Sequence, residues 1–202
     1  MRIYLLESPR TYQYAGFAHV GTWTNDRLCP VCEGRLDRLA QPLLIEWEPD
    51  SEVIGDFSWC SYTMAVVTKV RDYLLKSGFE CSFGRVEVVP FAKWRKTSSK
   101  PRVPYPYEGP ELHWVRPRKR VRLNQEQSGV VLETYCSACK QSRYTFKREG
   151  IVIDQAAWKG CKMFRIKQFD PSDATYVTED ALELLSSKGF TNLGYLEAGM
   201  IR

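Results

Sequence analysis

The sequence predicts a strand-rich α+β fold in a single domain, and three observations carry that prediction. Short β-branched and aromatic runs outnumber amphipathic stretches. Only two segments repeat apolar residues at helical spacing and then stop on glycine. Two Cys-x-x-Cys pairs, Cys29-Pro30-Val31-Cys32 and Cys136-Ser137-Ala138-Cys139, would clamp distant parts of one fold if they share a metal. At 202 residues and 44% hydrophobic content, the chain can bury a substantial core.

Taken in order, Ile3 to Leu6 and Leu43 to Trp47 read as the first strands. A helix is expected over Tyr62 to Ser77, with Met64, Val67, Val70, Leu74 and Leu75 on one face. Gly78 suits a left-handed cap after it, and Phe79 is placed to pack back on the last turn. Val86 to Val89, Val130 to Tyr135, Tyr144 to Lys147 and Ile151 to Ile153 read as further strands. The second helix starts at Thr178, an N-cap followed by Glu179 and Asp180, whose charge complements the helix dipole. Ala181, Leu182 and Leu185 supply its apolar stripe, and Gly189-Phe190 repeats the stop signal. Gly84 reads as a turn, and Gly194 and Gly199 as isolated glycines.

The single domain, 1–202, divides into an N-terminal half (1–92), a connector (93–122) and a C-terminal half (123–202). Each half carries one cysteine pair, extended runs, one main helix, a Gly-Phe stop and another strand. This is a faint repeat with a period of slightly over about a hundred residues, although glycine caps are common enough for coincidence to stay open. In the connector Pro101, Pro104, Pro106 and Pro110 interrupt regular structure. Tyr105, Tyr107, His113 and Trp114 are its candidate partner-binding residues, since aromatic side chains anchor interfaces; the alternative is a stiff linker whose aromatics pack on the body.

The net charge of +5, from 29 basic and 24 acidic residues, is modest for a nucleic-acid binder. Its basic residues are concentrated in Lys93 to Arg102 and Arg116 to Arg122, on either side of the proline-rich stretch. The aromatic share of 13% argues against disorder. The apolar stretch near the N-terminus is too short for a signal peptide, and no run approaches about 18 apolar residues, so a cytoplasmic chain without a membrane partner is expected. In that compartment the seven cysteines are expected to be ligands or buried thiols, with Cys60, Cys81 and Cys161 in the second group.

Cys29, Cys32, Cys136 and Cys139 are the expected ligands of one structural Zn2+. Pro30, Ser137 and Ala138 suit tight turns whose backbone amides point at thiolates, and the strand-like sequence from Gln141 to Lys147 suits a zinc ribbon. A redox pair would call for a helix directly after the cysteines, which neither pair shows; unmetallated thiols are the remaining reading. A closed four-sulfur site has no open position for catalysis. His19 and His113 lie far apart, and no Ser-His-acid set or phosphate-cradling loop is present, so no enzyme is expected.

Cys-Pro-Val-Cys-Glu-Gly, Cys-Ser-Ala-Cys-Lys, and the tail motifs Trp158 to Arg165, Val177 to Asp180 and Lys188 to Leu193 together resemble the double-CXXCG-motif proteins. That is a paralogous family known chiefly from myxobacteria, whose members are named as immunity proteins paired with swarming-inhibition toxins. The resemblance implies a cytoplasmic, antitoxin-like protein of bacterial competition that binds and neutralises a cognate protein toxin. Glu33 separates Cys32 from Gly34, and Lys140 replaces the second motif's glycine. Glycine there relieves a left-handed backbone position, so each departure costs about 1 kcal/mol without removing a ligand. A zinc-ribbon nucleic-acid-binding protein, resting on the Arg116 to Arg122 run, is the alternative; a thiol redox enzyme rests on the cysteines alone.

Overall fold

The computed structural model describes residues 1–9, 11, 13–20, 28–34, 42–92, 98–170 and 172–202. In chain order, β1 (Arg2–Glu7) and β2 (Phe17–His19) precede the first cysteine pair. β3 (Leu43–Trp47), β4 (Phe57–Cys60), β5 (Thr63–Val67), α1 (Thr68–Lys76) and β6 (Cys81–Val88) follow it. β7 (Leu112–Pro117), β8 (Arg120–Val121), the short α2 (Gln125–Ser128) and β9 (Leu132–Tyr135) lead to the second pair. After it come β10 (Ser142–Tyr144), β11 (Ile151–Ile153), the short α3 (Gln155–Trp158), β12 (Met163–Ile166), β13 (Tyr176–Thr178), α4 (Glu179–Ser186) and β14 (Gly194–Ile201). The result is a strand-rich α+β chain with few helices.

Two six-stranded sheets contain twelve of these strands, in the orders β2-β3-β6-β7-β5-β4 and β11-β14-β1-β13-β12-β8; β9 and β10 form a separate hairpin. β1 shows how the second sheet is seated. Its Ile3 and Leu5 enter one apolar core while Tyr4 and Leu6 enter the other. A strand covered on both faces belongs in the middle of a sheet, and β1 lies between β13 and β14. The core that holds Tyr4 and Leu6 also takes Val70 and Leu74 of α1 and Ala181, Leu182 and Leu185 of α4. The helices touch where the Tyr73 hydroxyl donates to the Leu184 carbonyl at 3.0 Å.

The helix ends follow from local chemistry. The Thr178 side chain accepts from the Ala181 N–H at 3.4 Å, with Glu179 and Asp180 in the first turn. Gly78 (φ 73°) reverses the chain after α1, the Phe79 N–H returns to the Leu74 carbonyl at 3.0 Å, and Phe79 is buried. Gly189 takes the same left-handed conformation (φ 63°) after α4.

Several expectations need correction. The helix expected from Tyr62 begins only at Thr68: Met64 and Val67 belong to β5, all of whose residues are buried, and Leu75 is exposed. A continuous apolar run satisfies a buried strand as well as a helix, and pairing with β4 and β7 decides for the strand. The strand expected from Tyr144 to Lys147 instead ends at Tyr144, and Gly84 lies within β6 opposite Trp114. The connector is not irregular throughout, because β7 and β8 lie inside 93–122 and β7 sits in the middle of a sheet.

Candidate metal centre

Each cysteine pair sits in a turn closed by the same two backbone hydrogen bonds. In the first, Cys29 N–H donates to the Gly34 carbonyl (2.9 Å) and Glu33 N–H to the Cys29 carbonyl (2.8 Å). In the second, Cys136 N–H donates to Gln141 (2.9 Å) and Lys140 N–H to Cys136 (2.8 Å). The turns bring all four Sγ atoms within 4.8 Å of one another. Cys29 and Cys136 are 3.7 Å apart, and Cys32 and Cys139 3.6 Å. A tetrahedron with metal–sulfur bonds of about 2.3 Å has edges of about 3.8 Å, so the donor set fits one ion.

The electrostatics agree with a site made for a cation. Backbone N–H groups of Cys139 and Ala138 hold the Cys136 thiol down to about 6, and those of Cys32 and Val31 lower Cys29. At Cys32 the Gly34 N–H pulls downward, but desolvation and the sulfurs of Cys136, Cys139 and Cys29 outweigh it and push the thiol up to about 12. At Cys139 the Gln141 N–H is likewise outweighed, chiefly by desolvation and Cys136, and the thiol rises. Four adjacent sulfurs cannot all ionise alone; a divalent cation removes that conflict. Cys29 and Cys136 are buried, whereas Cys32 is exposed and Cys139 half-buried, which leaves one side of the cluster near solvent.

Gly34 lies close to its neighbours: a Cβ there would lie 2.7 Å from Gln141 Oε1, the movable end of a side chain, and 3.1 Å from Cys32 Sγ. Glu33 and Lys140 occupy the left-handed positions expected for them, at φ 56° and 60°. Glu33→Gly and Lys140→Gly should therefore each stabilise the metal-loaded chain by about 1 kcal/mol, read as a shift in urea midpoint. Destabilisation by both variants would show that the side chains contribute more than the strain costs.

The four partner-binding candidates separate. Tyr105 is 43% exposed. Tyr107 is half-buried, its ring 6.1 Å from Trp47, and its hydroxyl donates to the Pro110 carbonyl at 2.7 Å; burial pushes it up to about 12. His113 and Trp114 are buried in β7, Trp114 within the apolar core, so neither presents an exposed side chain. His113 Nε2 lies 3.0 Å from both Thr68 Oγ1 and Arg71 Nη1. In the basic run, Arg116 pairs with Asp173 at 3.0 Å, Lys119 with Glu80 at 3.1 Å, and Arg120 with Asp170. Lys93, Arg95 and Lys96 of the other basic segment lie outside the described residues.

Of the remaining cysteines, Cys81 is buried 3.3 Å from Met163 Sδ, Cys161 is buried against the Trp158 carbonyl, and Cys60 is half-buried. Sequence reasoning missed the apolar residues flanking the metal turns: Leu28, Val31, Leu132 and Tyr135 are all exposed. Their signal was local, since each lies within four residues of a ligand, but apolarity alone does not distinguish surface from core. Every residue of β9 is exposed.

The fold and site together define a strand-rich α+β chain with a four-cysteine cluster able to hold a metal ion. Among the described residues no helix is long and apolar enough to cross a membrane. Compared with known proteins, the chain matches no family model and no curated sequence.

Proposed function

We propose that the chain is a cytoplasmic immunity protein of the double-CXXCG kind, a non-enzymatic binder that neutralises a cognate protein toxin and holds one structural Zn2+. The observation that carries the reading is the cluster itself: four sulfurs at tetrahedral spacing fill a zinc ion's coordination, which suits stabilisation and leaves no position for a substrate. The β9–β10 hairpin, with its cysteine turn at the tip, is read as half of a zinc ribbon. Exposed Val31 and Tyr135 beside the ligands, together with Tyr105, supply apolar anchors suited to a protein partner. Pairing of Arg116, Lys119 and Arg120 with carboxylates reduces the charge available to grip phosphates, which favours protein over nucleic acid.

The probe is the product of the gene immediately upstream. Co-expression should rescue growth, and a stoichiometric complex should persist with only mild salt dependence. Val31→Asp with Tyr135→Asp should weaken that complex by more than about 2 kcal/mol while zinc content stays at one per chain. No rescue, or a steep log-log fall of affinity for nucleic acid with salt, would sink the reading.

A further inference from the structure

We propose that the chain consists of two versions of one structural unit that have exchanged their first strands, with the cysteine cluster on the approximate twofold axis between them. Only the placing of a metal on that axis rests on the reading of the cluster given above.

The pairing pattern carries the inference. In one sheet β3 runs parallel to β6, and β6-β7, β7-β5 and β5-β4 are antiparallel. In the other, β11 runs parallel to β14, and β14-β1, β1-β13 and β13-β12 are antiparallel. The remaining strands match as well. β2 is antiparallel to β3 and leads back to β4, with a Gly16 Cβ position 3.6 Å from the Trp59 carbonyl oxygen. β8 is parallel to β12, and the chain beyond it reaches β11 through Asn124 N–H to the Val152 carbonyl at 2.8 Å. Each sheet thus curls so that its short strand bridges the same two neighbours.

Equivalent hydrogen bonds recur at equivalent places. Val67 N–H donates to Asp56 (3.2 Å) where Thr178 N–H donates to Lys162 (3.1 Å), immediately before each helix. Gly78 N–H donates to Leu75 (3.2 Å) where Gly189 N–H donates to Ser186 (3.1 Å). The turns around the cysteines repeat both of their bonds. A glycine cap alone is common; a shared order of five paired strands, a sixth strand curled against the same two neighbours, a helix and two bonded turns is not.

Matching elements also meet each other, as a twofold relation requires. Cys29 faces Cys136 and Cys32 faces Cys139, each pair 107 positions apart. Tyr73 and Leu184, the sixth residues of α1 and α4, touch. Within this relation β1 and β7 are the two first strands, and they are exchanged. β1 opens the unit that holds Cys29 yet lies between β13 and β14, while β7 opens the unit that holds Cys136 yet lies between β5 and β6. Each unit therefore completes the middle of the other's sheet, and the cluster adds a third tie at the axis.

The test cuts the link between β6 and β7. A specific protease sequence inserted between Ser98 and Ser99 allows the folded chain to be nicked into two fragments. Both should elute together at the intact mass, with or without chelator, and separate only in denaturant. Separation on chelation alone would overturn the exchange, whereas co-elution of fragments that contain no metal even before chelation would support it and count only against the metal. Exchange is distinguished from simple adhesion by cysteines placed opposite each other in register. Oxidation of Ser82→Cys with Arg116→Cys, and separately of Arg2→Cys with Met200→Cys, should join the nicked fragments covalently. Failure of both pairs to cross-link in folded, nicked protein would also overturn it.

Discussion

Cys136→Ser is expected to abolish stoichiometric metal binding and to destabilise both sheets together, by about 4 kcal/mol where free metal stands a thousandfold above its Kd. Cys136 is one of the two buried cysteines of the cluster, its sulfur 3.7 Å from that of Cys29, so its loss removes a contact between the two turns as well as a potential thiolate ligand. A hydroxyl in its place is a weak ligand and leaves three sulfurs that repel when ionised. Acid should act in the same direction. A bound divalent cation would hold all four thiolates ionised, with folded pKa values below the unfolded ones; the stability it supplies would be present at neutral pH and lost as pH falls and protons displace the metal. Metal analysis, urea midpoints with and without chelator, and hydrogen exchange at β5 and β13 check the prediction. A variant that keeps one metal per chain, or loses protection only around residues 132–144, would rule out a clamp on the whole fold.

The cysteine cluster was legible because ligand spacing within a turn is local information: two residues between sulfurs fix a knuckle whatever the chain does elsewhere. The same holds for Thr178, Gly78 and Gly189, whose roles depend on a few neighbouring bonds. Leu43–Trp47 and Ile151–Ile153 were legible as bounded runs of β-formers. Thr63–Val67 was not, because periodicity cannot separate a strand buried on both faces from a helix, and its pairing with β7 reaches residues 112–115. Leu112–Pro117 was hidden by the prolines before it, and the burial of His113 and Trp114 followed from the strand they occupy. The least legible feature was the partner of β1. Its burial on both faces, from Ile3 to Leu6, marks a central strand, yet nothing within Arg2–Glu7 says that the flanking strands come from the far end of the chain.

Gly199, an isolated glycine in the sequence, is where that long-range arrangement meets a steric limit. It pairs with Ile3 of β1 on one side and with Ile151 of β11 on the other, beside an irregularity in register between Ile3 and Tyr4. A Cβ at this position would stand 1.8 Å from the Ile151 carbonyl oxygen and 2.7 Å from its nitrogen, and the backbone lies at φ 155°. The obstructing atoms belong to a backbone already held in a ladder, so no side-chain rotation relieves the clash. Gly199→Ala should therefore destabilise by about 3 kcal/mol, the upper range for overpacking at a constrained site. Gly160→Ala is the control: it shares the positive φ, at 76°, but an added Cβ meets nothing within 4 Å, so only the cost of a left-handed residue, about 1 kcal/mol, applies. Chemical denaturation compares the two, and hydrogen exchange locates the damage. Protection should fall in β11, β14 and β1 together, although β1 lies at the opposite end of the chain from β14, because one glycine spaces all three strands. If Gly199→Ala cost no more than Gly160→Ala, the three strands could not be packed as closely as this register requires.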